Sequence, residues 1–318
     1  MVEGQDSLEV IRGLINLKPR HRGSVVTIGN FDGVHLGHQS ILRQVRDKAA
    51  ELGTRSMLIC FEPQPQEFFD EFNAPARLTR FREKVELLTE LGIDQVLCFK
   101  FNEKTRSMPA ERFVEILVHD INVKALFVGD DFRFGHDRSG DFSMLQAAGR
   151  EFGFDVTNQH SLTFEHERVS STRIRECLAE GDFEDAEAML GHPYWISGKV
   201  IYGRQLGRQL GAPTANIQLH RYRAPIDGVY AVEIDGLDKR YQGVANVGVR
   251  PTLNEVTLKP ILEVHIFDFA EEIYGRRVKV IFRRKIRQEI KFDGLDALKA
   301  AIKQDIENAR AWFAEQAA

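Results

Sequence analysis

The sequence predicts a two-part fold: an α/β half built on a parallel sheet, then an all-β half followed by a C-terminal helix. Up to about residue 192, short apolar runs alternate with stretches of helical period, the pattern of strands joined by crossing helices. His192, Pro193 and Tyr194 then break that pattern, and apolar and polar residues alternate in short runs separated by Gly, Asp and Asn turns, as in a small antiparallel barrel. Near the end, Leu295, Leu298, Ile302, Ile306, Ala309 and Phe313 share one helical stripe. Domains are therefore expected at residues 1–192 and 193–318.

Each element has its own signal. Val25, Val26 and Ile28 form an apolar run expected as a buried parallel strand, and the residues before them read as a short lead-in. The next helix carries Ile41, Leu42, Val45, Ala49 and Leu52 on one stripe and stops at Gly53. Met57 to Phe61 is a second strand, running into the stiff loop Glu62, Pro63, Gln64, Pro65. A helix is expected from about Thr79 to Leu91, with Val85, Leu88 and Leu91 inward, then a strand over Val96 to Phe99. Ser107 as N-cap and Pro109 in the first turn start a helix that turns Phe113, Ile116 and Leu117 to the core. Ala125 to Val128 is the next strand, and two short helices parted by Gly181 fill 172–191. Trp195 to Tyr202, Gly228 to Ile234, Tyr241 to Val247, Ile261 to Phe267 and Arg277 to Phe282 read as the strands of the second half.

Composition narrows the function classes. Lys+Arg 43 against Asp+Glu 47 gives a net charge of −4 over 318 residues, which makes no broad electrostatic case for nucleic acid or an acidic membrane as partner. Anion binding is therefore expected to be local. Cys60, Cys98 and Cys177 are odd in number and far apart, without metal-ligand spacing, which points to reduced thiols in a cytoplasmic protein. No apolar run approaches the roughly 20 residues of a membrane span, and Glu3, Asp6 and Glu9 are unlike a signal peptide's basic flank. Nothing in the pattern specifies an oligomer.

The most informative stretch is Thr27 to Ser40, TIGNFDGVHLGHQS, a strand end, a glycine turn and a helix start in fourteen residues. A helix N-terminus attracts anions, and His35 and His38, three apart across its first turn, are expected to point the same way. Gly37 between them lets a phosphate or flat ring approach the backbone. A single histidine at a helix start is commonly only a cap, so the signal lies in the whole string. After the strand at Ala125 comes GDDFRFGHDRSGDF, Gly129 to Phe142, where Phe132 and Phe134 flank Arg133 and suit an aromatic, phosphorylated ligand better than a core. Further on, Ser170, Ser171 and Thr172 can cap a helix that carries Arg173 and Arg175, a second arrangement able to hold phosphate.

In the second half, Gly203 to Asn216 is a glycine-punctuated basic loop ending in Pro-Thr-Ala-Asn. In an extended segment Thr214 and Asn216 face the same way, and a hydroxyl beside an amide oxygen suits Mg²⁺ completed by substrate phosphates. In Leu262 to Ile266 the aliphatic residues share one face and leave Glu263 and His265 on the other, which makes Glu263 a candidate base or an ordinary solvated charge.

The string GNFDGVHLGH resembles the HxGH signature of nucleotidyltransferases in the form of their flavin adenylyltransferase branch, and Pro213 to Asn216 resembles the signature tetrapeptide of riboflavin kinases. With SSTRIR in second place, the chain resembles prokaryotic bifunctional riboflavin kinase/FMN adenylyltransferases over nearly its whole length. The resemblance implies a Rossmann-like nucleotidyltransferase domain, a Greek-key-type barrel, and two transfers from ATP with Mg²⁺, taking riboflavin to FMN and FMN to FAD. It assigns ATP to Gly29, Asn30, Phe31, Asp32, Gly37, Ser170, Ser171, Thr172 and Gly203, and charge stabilisation to His35, His38 and Arg175. Flavin contacts fall on Pro63, Asp130, Phe132, Phe134 and Arg250, the metal on Thr214 and Asn216, and the kinase base on Glu263. Ala212 and Gln64 depart from the family pattern, standing where relatives often carry phenylalanine and histidine. HxGH also occurs in class I aminoacyl-tRNA synthetases, but no KMSKS-like loop is present and the net charge is negative.

Overall fold

The computed structural model describes residues 8–129, 131–159, 163–164, 167–203, 211–251 and 258–317. The chain forms two compact units, Met1–Pro75 with Thr79–Ser170, and Ala76–Leu78 with Ser171–Ala318. The division thus falls at the start of the first helix of the 172–191 pair, and both of those helices belong to the barrel's unit.

The first unit runs β1 (Glu9–Arg12), β2 (Val25–Ile28), α1 (Leu36–Glu51), β3 (Ser56–Glu62), α2 (Pro65–Phe69), α3 (Phe81–Glu90), β4 (Gln95–Lys100), α4 (Glu103–Arg106), α5 (Ala110–Glu115), β5 (Ala125–Gly129), α6 (Phe142–Phe152), β6 (Asp155–Gln159) and a small hairpin of β7 (Thr163–Phe164) and β8 (Glu167–Arg168). The first six strands form one parallel sheet in the order β1-β4-β3-β2-β5-β6. One face packs Ile28, Met57, Ile59 and Leu97 against Phe113, Ile116 and Leu117; the other packs Val25, Ala125 and Phe127 against Val45 and Ala49 of α1. Successive strands step one way from β2 through β3 to β4, and the other way from β5 to β6. The chain therefore reverses between β2 and β5, and the crevice outside the carboxyl ends of those two strands is where such sheets bind ligands. The turn that ends in His35 and leads into α1 with His38, and the loop carrying Phe132 and Phe134, leave from those two ends.

The lead-in proves to contain a strand. The two strands of this sheet missing from the sequence reading, β1 and β6, are its edges. An edge strand is covered less completely, so EVIR and DVTNQ lack the continuous apolar run that marks the central strands. Ser107 is the C-cap of α4, returning its hydroxyl to the Glu103 carbonyl at 2.6 Å, and Pro109 holds the N-cap position of α5. Asn102 wins the capping role upstream, its Oδ1 accepting from the Thr105 N–H. In α3 the buried face is Glu83, Lys84, Leu87 and Leu88, with Val85 and Leu91 half-buried. The apolar stripe is thus rotated from the one expected and contains a lysine.

The second unit begins with α7 (Ser171–Glu180) and α8 (Phe183–Leu190), then β9 (Trp195–Ile201), β10 (Ala215–Ile217), β11 (Gly228–Asp235), β12 (Tyr241–Pro251), β13 (Leu258–Ile266), β14 (Arg277–Arg287) and α9 (Leu295–Gln316). The six strands close a barrel in the order β10-β13-β12-β11-β14-β9, antiparallel throughout. Ala309 and Phe313 of α9 pack on Val229, Ala231 and Val244, which marks that face of β11 and β12 as the barrel's exterior. Leu295, expected on the same stripe, is 65% exposed, while Asp305 is buried and gripped by the Arg287 guanidinium through two bonds of 2.8 and 2.7 Å. Only the later turns of α9 reach the barrel, so its first leucine has nothing to cover.

Candidate functional site

In the first unit β2 ends at Ile28 and the chain turns through Phe31 (φ 48°), Gly33 (φ 82°) and Val34 (φ 45°) before α1 begins. Left-handed backbone at a β-branched residue is strained, and such strain persists only where the surroundings hold it. Thr79 holds it here. Its N–H donates to Asp32 Oδ1 at 2.9 Å, its hydroxyl to the same oxygen at 3.3 Å, and its Oγ1 accepts the Gly33 N–H at 2.9 Å. Asp32 is consequently buried and structural in this turn.

His35 caps α1, its Nδ1 accepting the His38 N–H at 3.4 Å, which places the ring proton on Nε2. The two imidazoles stack with centroids 3.6 Å apart, and Phe31 lies 4.6 Å from His38 on the other side. A side chain at Gly37 would come within 3.2 Å of the His35 ring, so glycine is what lets the ring fold back over the helix start. His38 is half-buried with its Nδ1 cut off from solvent and unpartnered. Burial first, then the charges of His35, Lys84 and Arg168, hold its pKa well below the ordinary histidine range. Gly29, Asn30, Phe31, Gly37 and both histidines are therefore gathered at one helix mouth. The arrangement offers backbone N–H groups and neutral imidazoles to an anion.

Of the other residues singled out in this half, Phe132 stacks on Phe134 at 5.6 Å. Phe134 itself is core, packed on Phe113 at 5.4 Å, so Phe132 is the ring of the pair with an accessible face. Pro63 is exposed and Gln64 buried with its amide nitrogen unpartnered. Asp130 lies outside the described residues. Ser170 closes the first unit, whereas Ser171, Thr172 and Arg175 open α7 in the second, where Arg175 Nε donates to the Ala76 carbonyl at 2.6 Å.

In the barrel, Asn216 on β10 is registered opposite Glu263 on β13, and Glu263 opposite Asn246 on β12. Directly opposed residues share a face, so the three polar side chains form a row across adjacent strands, on the exterior face that also bears Val244. Gly203 lies flush against the Asn216 amide, leaving no room for a Cβ. His265, two residues beyond Glu263 and on its face, makes a 2.9 Å bond to the Pro213 carbonyl and pins the segment that presents Thr214. Thr214 lines a cleft of about 340 Å³ with Pro213, Ala215, Phe269, Ile273 and Tyr274. Ala212 is buried. The side chain of Arg250 lies outside the described residues. Among the described residues no group of three or more His, Cys, Asp or Glu could hold a metal, so a cation here relies on Thr214 and Asn216 oxygens, which suit a hard ion that keeps most of its water. Tyr274 lies in a loop without a motif and was not foreseen, and the row that Asn246 completes and the bond from His265 to Pro213 become visible only once strand register is known.

Imidazoles at the switch point of a parallel sheet and an oxygen-donor row on a barrel are the equipment of a two-domain transferase acting on phosphorylated substrates. Residues 17–173 match the family model for FAD synthetase, and 190–313 that for riboflavin kinase. The chain is 50% identical to the bifunctional riboflavin kinase/FMN adenylyltransferase of Pseudomonas fluorescens, over 98% of this chain and 99% of the relative, and 49% identical to that of Haemophilus influenzae, over 96% and 99%. It also superposes on the crystal structure of a macrolide-efflux protein from Streptococcus pneumoniae with a TM-score of 0.78 and 30% identity, over 96% and 99% of the two chains. Among the described residues no helix is long and apolar enough to cross a membrane. The chain belongs to the bifunctional riboflavin kinase/FMN adenylyltransferase family.

Proposed function

We propose that the two activities of this family, riboflavin kinase and FMN adenylyltransferase, are divided between the two sites just described, with domain assignments of 1–192 for adenylylation and 193–318 for the kinase. The observation that carries the reading is the register of Asn216 and Asn246 on either side of Glu263, which sets a carboxylate between two amides, all half-buried, on the barrel's outer face. In the kinase, Glu263 accepts the proton of the riboflavin 5′-hydroxyl as that oxygen attacks the γ-phosphorus of ATP, and ADP leaves with the displaced bridging oxygen. Thr214 and Asn216 would hold Mg²⁺, which when bound neutralises charge on the ATP phosphates. Gly203 borders the nucleotide and Arg250 the flavin, and the cleft of Thr214, Phe269 and Tyr274 is apolar enough for a purine.

In the first unit an FMN phosphate oxygen attacks the α-phosphorus of a second ATP, and pyrophosphate leaves. The N-terminus of α1, His35 and His38 stabilise the charge that builds on the transferring phosphoryl group, with no covalent intermediate. Gly29, Asn30, Phe31, Asp32 and Gly37 shape the ATP cradle, and Pro63, Phe132 and Phe134 line the flavin's path; the flavin role of Asp130 and the phosphate role of Ser170, Ser171, Thr172 and Arg175 rest on the family resemblance alone. Riboflavin, FMN and ATP are the partners, nucleic acid and membrane are not, and the setting is the cytoplasm. Incubation of the full chain with riboflavin, ATP and Mg²⁺, followed by chromatography, is expected to yield FMN and then FAD. No FMN from riboflavin would sink the barrel assignment; no FAD from supplied FMN would sink the other.

A further inference from the structure

Lys84 is 0% exposed, and its Nζ makes no hydrogen bond or ion pair with any described residue. It stands in the apolar stripe of α3 beside Leu87 and Leu88, where a hydrophobic residue would be ordinary. Its neighbour Glu83 is equally buried but fully engaged, accepting from the Arg80 N–H at 2.7 Å and from Arg80 Nε at 3.4 Å. A buried charge is normally paired, because leaving water costs it far more than packing returns. Lys84 is the exception that has to be explained.

Its surroundings point to the reason. The segment leading into α3 is the one that Thr79 ties to Asp32 and Gly33, so Lys84 rises from a helix anchored to the strained turn. Helix α3 packs directly on the Asp32–Val34 turn, which sets Lys84 on an element in contact with the helix mouth; an ammonium there also disfavours the cationic form of His38. The other groups acting on His38 are His35, stacked on it, and Arg168, which is exposed and bonded to Asp131 at 3.2 Å. The helix mouth itself offers dipoles and, at His38, a neutral ring. A polyphosphate with several negative charges needs a full positive charge as well, and among the described residues no carboxylate stands within ion-pair distance of the Lys84 ammonium.

We infer that Lys84 is the fixed cation of the first unit's anion cradle, its counter-charge being the polyphosphate of the nucleotide or inorganic pyrophosphate. This rests on the reading of that cradle as the adenylylation site. Lys84 acts through the field at the phosphates and at His38, as a positioning residue and not as a group that touches substrate.

The test uses the full chain with Lys84→Met, a near-isosteric apolar replacement, and Lys84→Gln as a second neutral variant. Calorimetry is expected to show pyrophosphate binding weakened roughly tenfold or more, the scale on which losing one unit charge acts at an effective dielectric near 20. KM for ATP in FMN adenylylation should rise by a similar factor, the His38 ring should titrate at higher pH by NMR, and riboflavin phosphorylation should be unchanged. Thermal unfolding of Lys84→Met should stay level or rise, because the change removes an unpaired buried charge. Unchanged pyrophosphate affinity and an unmoved His38 titration would overturn the inference, as would failure of both variants to fold, which would mean a structural partner for the ammonium. His38→Ala in the same assays separates the two ideas: if it leaves adenylylation intact, the site reading itself is wrong, and if it impairs adenylylation while Lys84→Met does not, only the role of Lys84 falls.

Discussion

The two sites are made of different material. The first is backbone bent out of shape: a turn with three left-handed residues, braced by one threonine and closed by stacked imidazoles. The second is regular sheet, in which Asn216, Glu263 and Asn246 come together because three strands are in register. One offers N–H dipoles to an anion, the other oxygen ligands and a carboxylate that can take a proton. The difference follows from the chemistry each must serve. Adenylylation uses a nucleophile that is already an anion, so the protein needs only to stabilise charge. Phosphorylating an alcohol requires a proton to leave, so it needs a base.

The comparison breaks if either site serves both reactions. Glu263→Gln keeps the shape of the barrel row but cannot accept a proton, and FMN formation is expected to fall by about 10² to 10⁴ while FAD formation from supplied FMN is retained. His38→Ala is expected to do the reverse, lowering adenylylation by about 10² to 10³ and leaving the kinase intact. Chromatographic assay of both products from each folded variant decides the matter. A variant that lost both activities would show that the sites are not independent.

How far these sites could be read from sequence follows the same division. The string from Gly29 to His38 is continuous, so the turn, the helix start and the common direction of the two imidazoles were legible in it. So was the alternation that puts Glu263 and His265 on one face. The partners across strands were not, because Asn246 lies 17 positions before Glu263 and Asn216 lies 47 before it, and nothing local states the register. Thr79 was hidden for a related reason: taken as a helix start, it is spent on a turn 46 residues upstream, and the helix is capped by Arg80 and Glu83 instead. Lys84 was invisible because a lysine in a helix is counted to the solvent side, and only its neighbours at Leu87 and Leu88 betray the stripe it shares. At the level of the fold, the strands missed were the parallel sheet's two edges, which lack an apolar run, and β7, β8 and β10, which are only two or three residues long.

A smaller effect sharpens the contrast between bent backbone and regular sheet. Thr79→Val keeps the volume but removes the Oγ1 that accepts the Gly33 N–H, leaving a buried donor without a partner. Such a loss costs about 1 to 3 kcal/mol, read as a lower denaturation midpoint. Adenylylation should fall with it, because the strained turn positions His35, whereas riboflavin phosphorylation should not.

The smallest effect is in pH. Unfolded His38 takes up its proton near pH 6.5, whereas the folded ring, disfavoured as a cation first by burial and then by its charged neighbours, does so only well below that. Between the two values the unfolded chain binds more protons, so the native state loses stability as pH falls below about 6.5, at no more than about 1.4 kcal/mol per pH unit, and the contribution is complete above it. Adenylylation should accordingly show no titration of His38 between pH 6.5 and 8. His38→Ala should flatten the acid side of the stability curve measured by denaturant titration across pH. If the wild-type curve and the variant's fell together, the imidazole would be titrating as an ordinary solvated group, and a neutral donor at the helix mouth would no longer describe the first site.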